Sequence, residues 1–223
     1  NRRFATNRKH LVSQARKTLF SLYSKIRNLC VPIDCQLSLF DSTVAPVLLY
    51  ACELWGFGDL SMIEKVHTDF LKNIRHVKKS TPHIMLYGDL GRFPLSVFVK
   101  KRMVGFWYKL ISNHNTLSST MYKIIVNDSY LHYSNYSWLS HMKSIFDECG
   151  LSYIWNTQSF NGSKQLLLKL VDTRLKDQYI QTWKEAVFNS SKCLNYRMYK
   201  TEFKIEKFYL ELSDTYVQPL VNF

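Results

Sequence analysis

The sequence predicts an all-α fold, and three observations carry that reading. Apolar residues recur at steps of three and four along most of the chain, the period of a helix with one buried face. Only seven Gly and five Pro occur in 223 residues, too few for a turn-dense β sandwich. Hydrophobic residues make up 46% and aromatics 15%, enough to fill a real core and to set wholesale disorder aside. No segment alternates strongly enough to be read as a strand, and no internal repeat or low-complexity tract occurs.

The first element is a helix over residues 3–29. Leu11, Ala15, Leu19, Leu22, Ile26 and Leu29 mark one apolar stripe. The other faces carry Arg8, Lys9, Arg16, Lys17, Lys25 and Arg27, with Arg2 and Arg3 ahead of them. No acid appears before Asp34, and a solvated helix ordinarily mixes charge signs. A phosphate-facing helix accounts for the pattern better than solubility does.

Pro32 interrupts, and a second helix opens near Asp34 and runs through Leu37, Phe40 and Val44. It enters Ala45–Gly58, the longest strongly apolar run of the chain, expected as the buried central helix of a small bundle. This run falls short of the ~20 residues that span a bilayer, so no membrane role is expected. Pro46 should kink it by removing a backbone donor, and Gly56 and Gly58 supply a stop. The third helix starts at a capping box, Ser61-x-x-Glu64, and carries Ile63, Val66, Phe70, Leu71 and Ile74. Arg75, His76, Lys78 and Lys79 crowd its C-terminal end, where they complement the helix dipole or meet a nucleic acid. Three helices with short connections make a compact bundle over residues 1–79.

Residues 80–223 read as a further helical region. Thr81-Pro82 starts a short helix that ends near Gly88 or Gly91. Pro94 opens another with a core stripe of Leu95, Phe98, Val99, Met103, Phe106 and Leu110, and a basic triplet Lys100-Lys101-Arg102 read as a solvated face. Helices are expected at 117–126, 137–149 and 163–189, with Gly150 as a C-cap and Ser163 as an N-cap. The last carries Leu166, Leu170, Leu175, Tyr179, Trp183 and Val187. Leu194–Lys200 reads as extended or turn, followed by a short helix at 203–212.

Charge gives the strongest functional signal. A formal net charge of +13 suits a polyanion or an anionic surface, of which nucleic acid is the commonest. Catalytic patterns do not occur. The only adjacent acids are Asp147-Glu148, and there is no glycine-rich phosphate loop, G-x-S-x-G or H-E-x-x-H. The five cysteines form no C-x-x-C or Cys/His cluster, so no metal is expected and free thiols in a reducing compartment are. Four N-x-[ST] matches carry no weight without a secretory signal. The chain starts at Asn1, has no Met before Met62 and ends without a polar tail, so it is expected to be a piece of a longer polypeptide, truncated at its C-terminus.

Within this frame Pro46-Val-Leu-Leu-Tyr-Ala-Cys-Glu-Leu-Trp-Gly56 resembles the P-V-L-L-Y-G-x-E-[VI]-W-G segment that follows the palm in LINE-type (non-LTR) retrotransposon reverse transcriptases. Ile63-Glu-Lys-Val-His-Thr-Asp-Phe-Leu-Lys72 resembles that family's I-E-x-x-x-x-x-F-L-[KR] helix. Lys78-Lys-Ser-Thr-Pro82, Tyr87-Gly-Asp-Leu-Gly-Arg-Phe-Pro-Leu95 and Lys101-Arg-Met-Val-Gly-Phe-Trp107 resemble its K-x-T-P, Y-x-E-L-G-R-x-P-L and K-R-x-x-x-[FY]-W segments. The likeness covers about residues 1–110. It continues more loosely through Tyr199-Lys-Thr-Glu-Phe203 and Glu206-Lys-Phe-Tyr-Leu210. The family has Gly where this chain has Ala51, and Glu where it has Asp89; in a helix Ala would be the better former.

The resemblance implies that residues 1–79 are a polymerase thumb and 80–223 a helical post-thumb connector. It places the metal-binding Asp-Asp pair, and its Mg, in an upstream palm of the same polypeptide. The fragment would hold no cofactor and be inactive alone, although its parent is an RNA-directed DNA polymerase. Its expected partners are the RNA template and DNA primer, gripped by Arg8, Lys9, Arg16, Lys17, Lys25, Arg27, Arg75, Lys78 and Lys79. Such contacts position a duplex without reading its sequence. The expected location is intracellular, nuclear or cytoplasmic, and not secreted. The alternative is a basic helical domain that binds a partner protein through Tyr130, Tyr133, Tyr136, Trp138, Tyr153 and Trp155, aromatics being enriched in interface cores. A non-functional retrotransposon remnant is a third reading.

Overall fold

A computed structural model describes residues 2–27, 29, 31–113, 115–131 and 137–206. Among them the fold is all-α, with one isolated antiparallel bridge between Leu90 and Ile205. The first helices are α1 (Arg2–Ile26), α2 (Ile33–Leu39), α3 (Ala45–Leu48), α4 (Cys52–Trp55), α5 (Ser61–Ile74) and α6 (His83–Asp89). There follow α7 (Leu95–Ser112), α8 (Leu117–Leu131), α9 (Ser137–Glu148), α10 (Ser152–Thr157), α11 (Lys164–Asn189) and α12 (Tyr196–Tyr199).

The chain divides into two compact units, each discontinuous in sequence. Residues 1–50, 61–95 and 179–223 form the first, and 51–60 with 96–178 form the second. In the first unit α1 packs against α3 and α5, and α5 against α6. Leu11, Ala15, Leu19 and Leu22 are buried as the spacing predicts, joined by Val12. Leu29 is a correction: it lies beyond the helix and is 64% exposed.

The apolar run is the largest departure. One continuous kinked helix was expected; the backbone instead widens to a π turn over Phe40–Val44. There the Ala45 N–H reaches the Phe40 carbonyl. Pro46 explains this, because its ring would collide with the carbonyl four residues earlier and has no N–H to offer it. Pro46 therefore lies in the first turn of α3. The helix then stops altogether. Ala51 adopts a left-handed conformation, φ 51° and ψ 28°, before α4 begins. Residues 45–50 belong to the first unit and 51–58 to the second, so the run is shared between them. Its burial is correspondingly patchy: Leu48, Cys52 and Trp55 are sealed, while Tyr50 is 70% and Leu54 48% exposed.

Helix ends follow the expected chemistry where glycine closes them. At Gly150, φ 66°, the Leu151 N–H bonds the Phe146 carbonyl (2.8 Å) and the Gly150 N–H bonds Asp147 (3.0 Å), a Schellman closure. Gly91 closes α6 the same way, through Arg92 to Tyr87 at 2.9 Å. At the end of α5 the left-handed position falls on His76, φ 49°.

In α7 the buried apolar residues include Leu95, Val97, Val99, Met103, Val104, Trp107 and Leu110, while Phe98 and Phe106 are only half-buried. In α11 the expected stripe is one residue out of register at its start. Leu166 is 55% exposed, and Leu167, Val171 and Leu175 are buried. From Leu175 on the expected positions are covered: Leu175, Trp183 and Val187 are all buried, residues up to 178 belonging to the second unit and those from 179 to the first. Leu194–Lys200, expected as extended or turn, contains α12; Tyr196 Oη donates to Asp89 (2.8 Å) and lies 3.1 Å from the Met85 carbonyl. Of the helix expected at 203–212, residues 207–212 lie outside the described residues, and Ile205 forms the bridge to Leu90.

Candidate nucleic-acid interface

The basic residues of α1 are positioned by its apolar stripe. With Leu11, Val12, Ala15, Leu19 and Leu22 turned inward, a rotation of about 100° per residue distributes the cations over what remains. Lys9 and Arg16, seven residues apart, share one flank; Lys17 lies opposite the core, and Lys25 falls on the other flank. All four are exposed. They form a broad arc over the solvent side rather than a single narrow face. Arg8 falls on the core side and is half-buried, and Arg27 is exposed one residue past the helix.

Arg16 is 3.9 Å from Asp69 on α5, with both side chains about half-exposed. A pair this long and this wet holds little energy and leaves the guanidinium available to a phosphate. Behind it the Tyr23 hydroxyl is pushed above its ordinary range by burial and by the Asp69 charge, so it stays protonated.

The second cluster divides. Lys78 and Lys79 are exposed, and the Lys79 carbonyl accepts from Lys72 Nζ at 2.6 Å. Arg75 points inward and donates to Asp89 at 2.7 Å, with both side chains largely covered. Burial raises the Asp89 carboxyl, with Arg75 and Tyr196 pulling the other way. Arg75 thus has a structural partner that sequence could not supply, because Asp89 is fourteen residues away.

The centre of the first unit is a hydrogen-bonded cluster around Glu64, expected only as half of a capping box with Ser61. Both its carboxylate oxygens are committed to tertiary partners. Oε1 accepts from Tyr87 Oη and meets His67 Nδ1 at 3.2 Å, and Oε2 accepts the Leu95 N–H at 2.9 Å. His67 is fully buried and stacked on Phe40 at 5.3 Å. Burial lowers its pKa and keeps the ring neutral. Nearby, Arg92 forms a two-pronged pair with Asp41 at 2.6 and 2.5 Å.

In the second unit the basic triplet of α7 is not a uniformly solvated face. Lys100 pairs with Glu148 at 2.6 Å and Lys101 with Asp172 at 3.1 Å, while Arg102 is exposed. The aromatics considered for a protein interface are partly consumed in packing. Trp138 Nε1 donates to the Glu53 carbonyl at 2.8 Å, and Trp155 packs at a tilt against Phe146, ring centroids 5.9 Å apart. Tyr153 is exposed; the side chains of Tyr130, Tyr133 and Tyr136 lie outside the described residues.

Among the described residues no group of three or more His, Cys, Asp or Glu could hold a metal, and no helix is long and apolar enough to cross a membrane. Comparison with known proteins found no matching family, no matching curated protein and no matching solved structure.

Proposed function

We propose that the chain is the thumb (residues 1–79) and connector (80–223) portion of a non-LTR retrotransposon reverse transcriptase, and that it grips an RNA template paired with its DNA primer. The observation that carries this reading is α1: one face is buried, and the exposed arc holds Lys9, Arg16, Lys17 and Lys25 with no acid anywhere on the helix. Such an arc fits the repeating phosphates of a duplex, and a net charge of +13 draws it in. Polymerase chemistry would come from a palm upstream, with its own Mg, so these residues bind and position. Such a protein works inside the cell, in nucleus or cytoplasm.

Two further features support the resemblance. The quoted segments converge: Glu64 of the I-E helix holds Tyr87 and Leu95 of the Y-x-E-L-G-R-x-P-L segment. Ala51, where the family carries Gly, has the left-handed backbone that Gly favours.

The test is a titration of the 223-residue protein with an RNA/DNA hybrid at several salt concentrations. Each neutralised phosphate contributes about −0.9 to the slope of log K against log salt, taking B-DNA as the guide. Reversing two cations, R16E with K17E, should weaken binding and flatten the slope by about 1.8. A salt-independent affinity, or a double variant that binds as the parent does, refutes the reading.

A further inference from the structure

The second unit contains a cleft of about 460 Å³ that the grip of α1 does not use. Its rim carries Lys101, Arg102, Lys109 and Lys164, four cations against one lining carboxylate, Glu53. Arg102 and Lys109 are seven residues apart on α7 and so share a face; Lys164 comes in from the start of α11. Lys101 already meets Asp172 and the Arg102 side chain hydrogen-bonds Cys52, which leaves Lys109 and Lys164 as the main positive lining. The apolar walls are Phe98, Phe106 and Leu168. Phe106 is braced edge-on against Trp138 at 6.2 Å, so its ring is held before any ligand arrives. Gly105 lies on the floor, and no side chain rises from it.

Cations converging beside half-exposed aromatic rings match a phosphate ester that carries a planar base. The volume lies in the range of small-ligand sites. Rings take a base by stacking while the cations take the phosphate, and neither needs to read base identity. We propose that this cleft binds a nucleoside monophosphate group, as a free nucleotide or as the phosphorylated end of a strand. Lys109 and Lys164 hold the phosphate and Phe98 and Phe106 the base. Glu53 opposes the phosphate and sets an upper limit on affinity. The inference is independent of the α1 grip, since it concerns the other unit.

The experiment is equilibrium dialysis of the intact protein with AMP, with inorganic phosphate, and with hexathymidylate carrying a 5′-phosphate or a 5′-hydroxyl. AMP should bind at least tenfold more tightly than inorganic phosphate. K109E with K164E should lose tenfold or more, and E53Q should tighten AMP about threefold. G105A provides the control against misfolding. Its methyl would meet Leu168 Cδ2 at 3.5 Å and Lys164 Cε at 3.6 Å, ordinary contacts, so the fold accepts it while the floor fills. That variant should weaken AMP with its melting temperature unchanged or raised. A phosphorylated hexamer that outbinds both AMP and the hydroxyl hexamer assigns the cleft to a strand end, and parity with AMP assigns it to a free nucleotide. Equal binding of AMP and inorganic phosphate, absence of AMP binding, or a G105A protein that binds AMP normally overturns the proposal. R16E with K17E should keep full AMP affinity, which separates this result from the duplex titration.

Discussion

Substituting Ala51 by Gly and by Val distinguishes the left-handed joint from the continuous helix that the apolar run suggests. In a right-handed helix the stability order would be Ala above Val above Gly, with Gly about 1 kcal/mol below Ala. At φ 51° the order changes. A left-handed backbone crowds the Cβ of an L-residue against the following carbonyl, at about 1–2 kcal/mol. Glycine removes that strain. It loses roughly 0.7 kcal/mol to the greater freedom of its unfolded chain. Removing a half-buried methyl costs about 0.4 kcal/mol more, half of a fully buried group. A51G should therefore gain about 0.4 kcal/mol, or ~1–2 °C of melting temperature at this chain length. A51V brings a β-branched side chain to a position it strongly disfavours and should lose about 2 kcal/mol, or ~4–8 °C. Circular dichroism melts and urea midpoints of the three proteins, measured side by side, read the order. Ala above Val above Gly would refute the left-handed assignment and restore an unbroken helix.

Other outcomes follow from the same reasoning. E64A strands the Tyr87 hydroxyl and the Leu95 N–H and should cost about 3 kcal/mol, or ~6–12 °C, whereas E64Q keeps one acceptor and should cost less. His67 is held neutral by burial, with Glu64, Arg92 and Asp41 as its charged neighbours. Below the ordinary histidine pKa of about 6.5 the unfolded chain takes up a proton that the folded one refuses. Its contribution to stability is complete above that pH and is lost as pH falls, so H67F should flatten the dependence of urea midpoint on pH between 7 and 5. G88A places a methyl 2.5 Å from Trp183 Cζ2 and 2.6 Å from Tyr196 Oη, and should melt lower than the parent although Ala is the better helix former. Burial pushes the Cys52 and Cys149 thiols up to about 11. Peptide mapping after iodoacetamide at pH 7.5 should find Cys35 alkylated first among Cys35, Cys52, Cys149 and Cys193.

Sequence reading succeeded where one local rule acts alone. The α1 stripe, the Gly150 closure and the absence of strands among the described residues each follow from period, backbone freedom or composition. It failed where the deciding partner is distant. Nothing near Glu64 announces Tyr87, twenty-three residues on, so the carboxylate was given to its own helix end. Arg75 looked like one of a row of surface cations because Asp89 is invisible to a helical wheel. At the start of α11, Leu166 and Leu167 are apolar neighbours, and only tertiary packing decides that Leu167 is the covered one. The cleft cations were separable only in part: Arg102 and Lys109 share a face by simple spacing, but Lys164 is brought to them by the fold. Ala51 is the instructive case, since its neighbours favour helix and its own side chain does too. Only the break in the chain's path shows that its backbone runs left-handed.

The interleaving of the two units sets an order of events on the ribosome. The second unit has all its residues once position 178 has emerged. The first, begun much earlier, must wait for Trp183, Val187 and Cys193, which seal Ile84 and Met85 of α6. At translation rates of about 5–20 residues per second, that inner face of α6 stays uncovered for roughly five to twenty seconds. During that interval the nascent chain presents an adhesive patch, and this is the moment at which a chaperone has most to act upon.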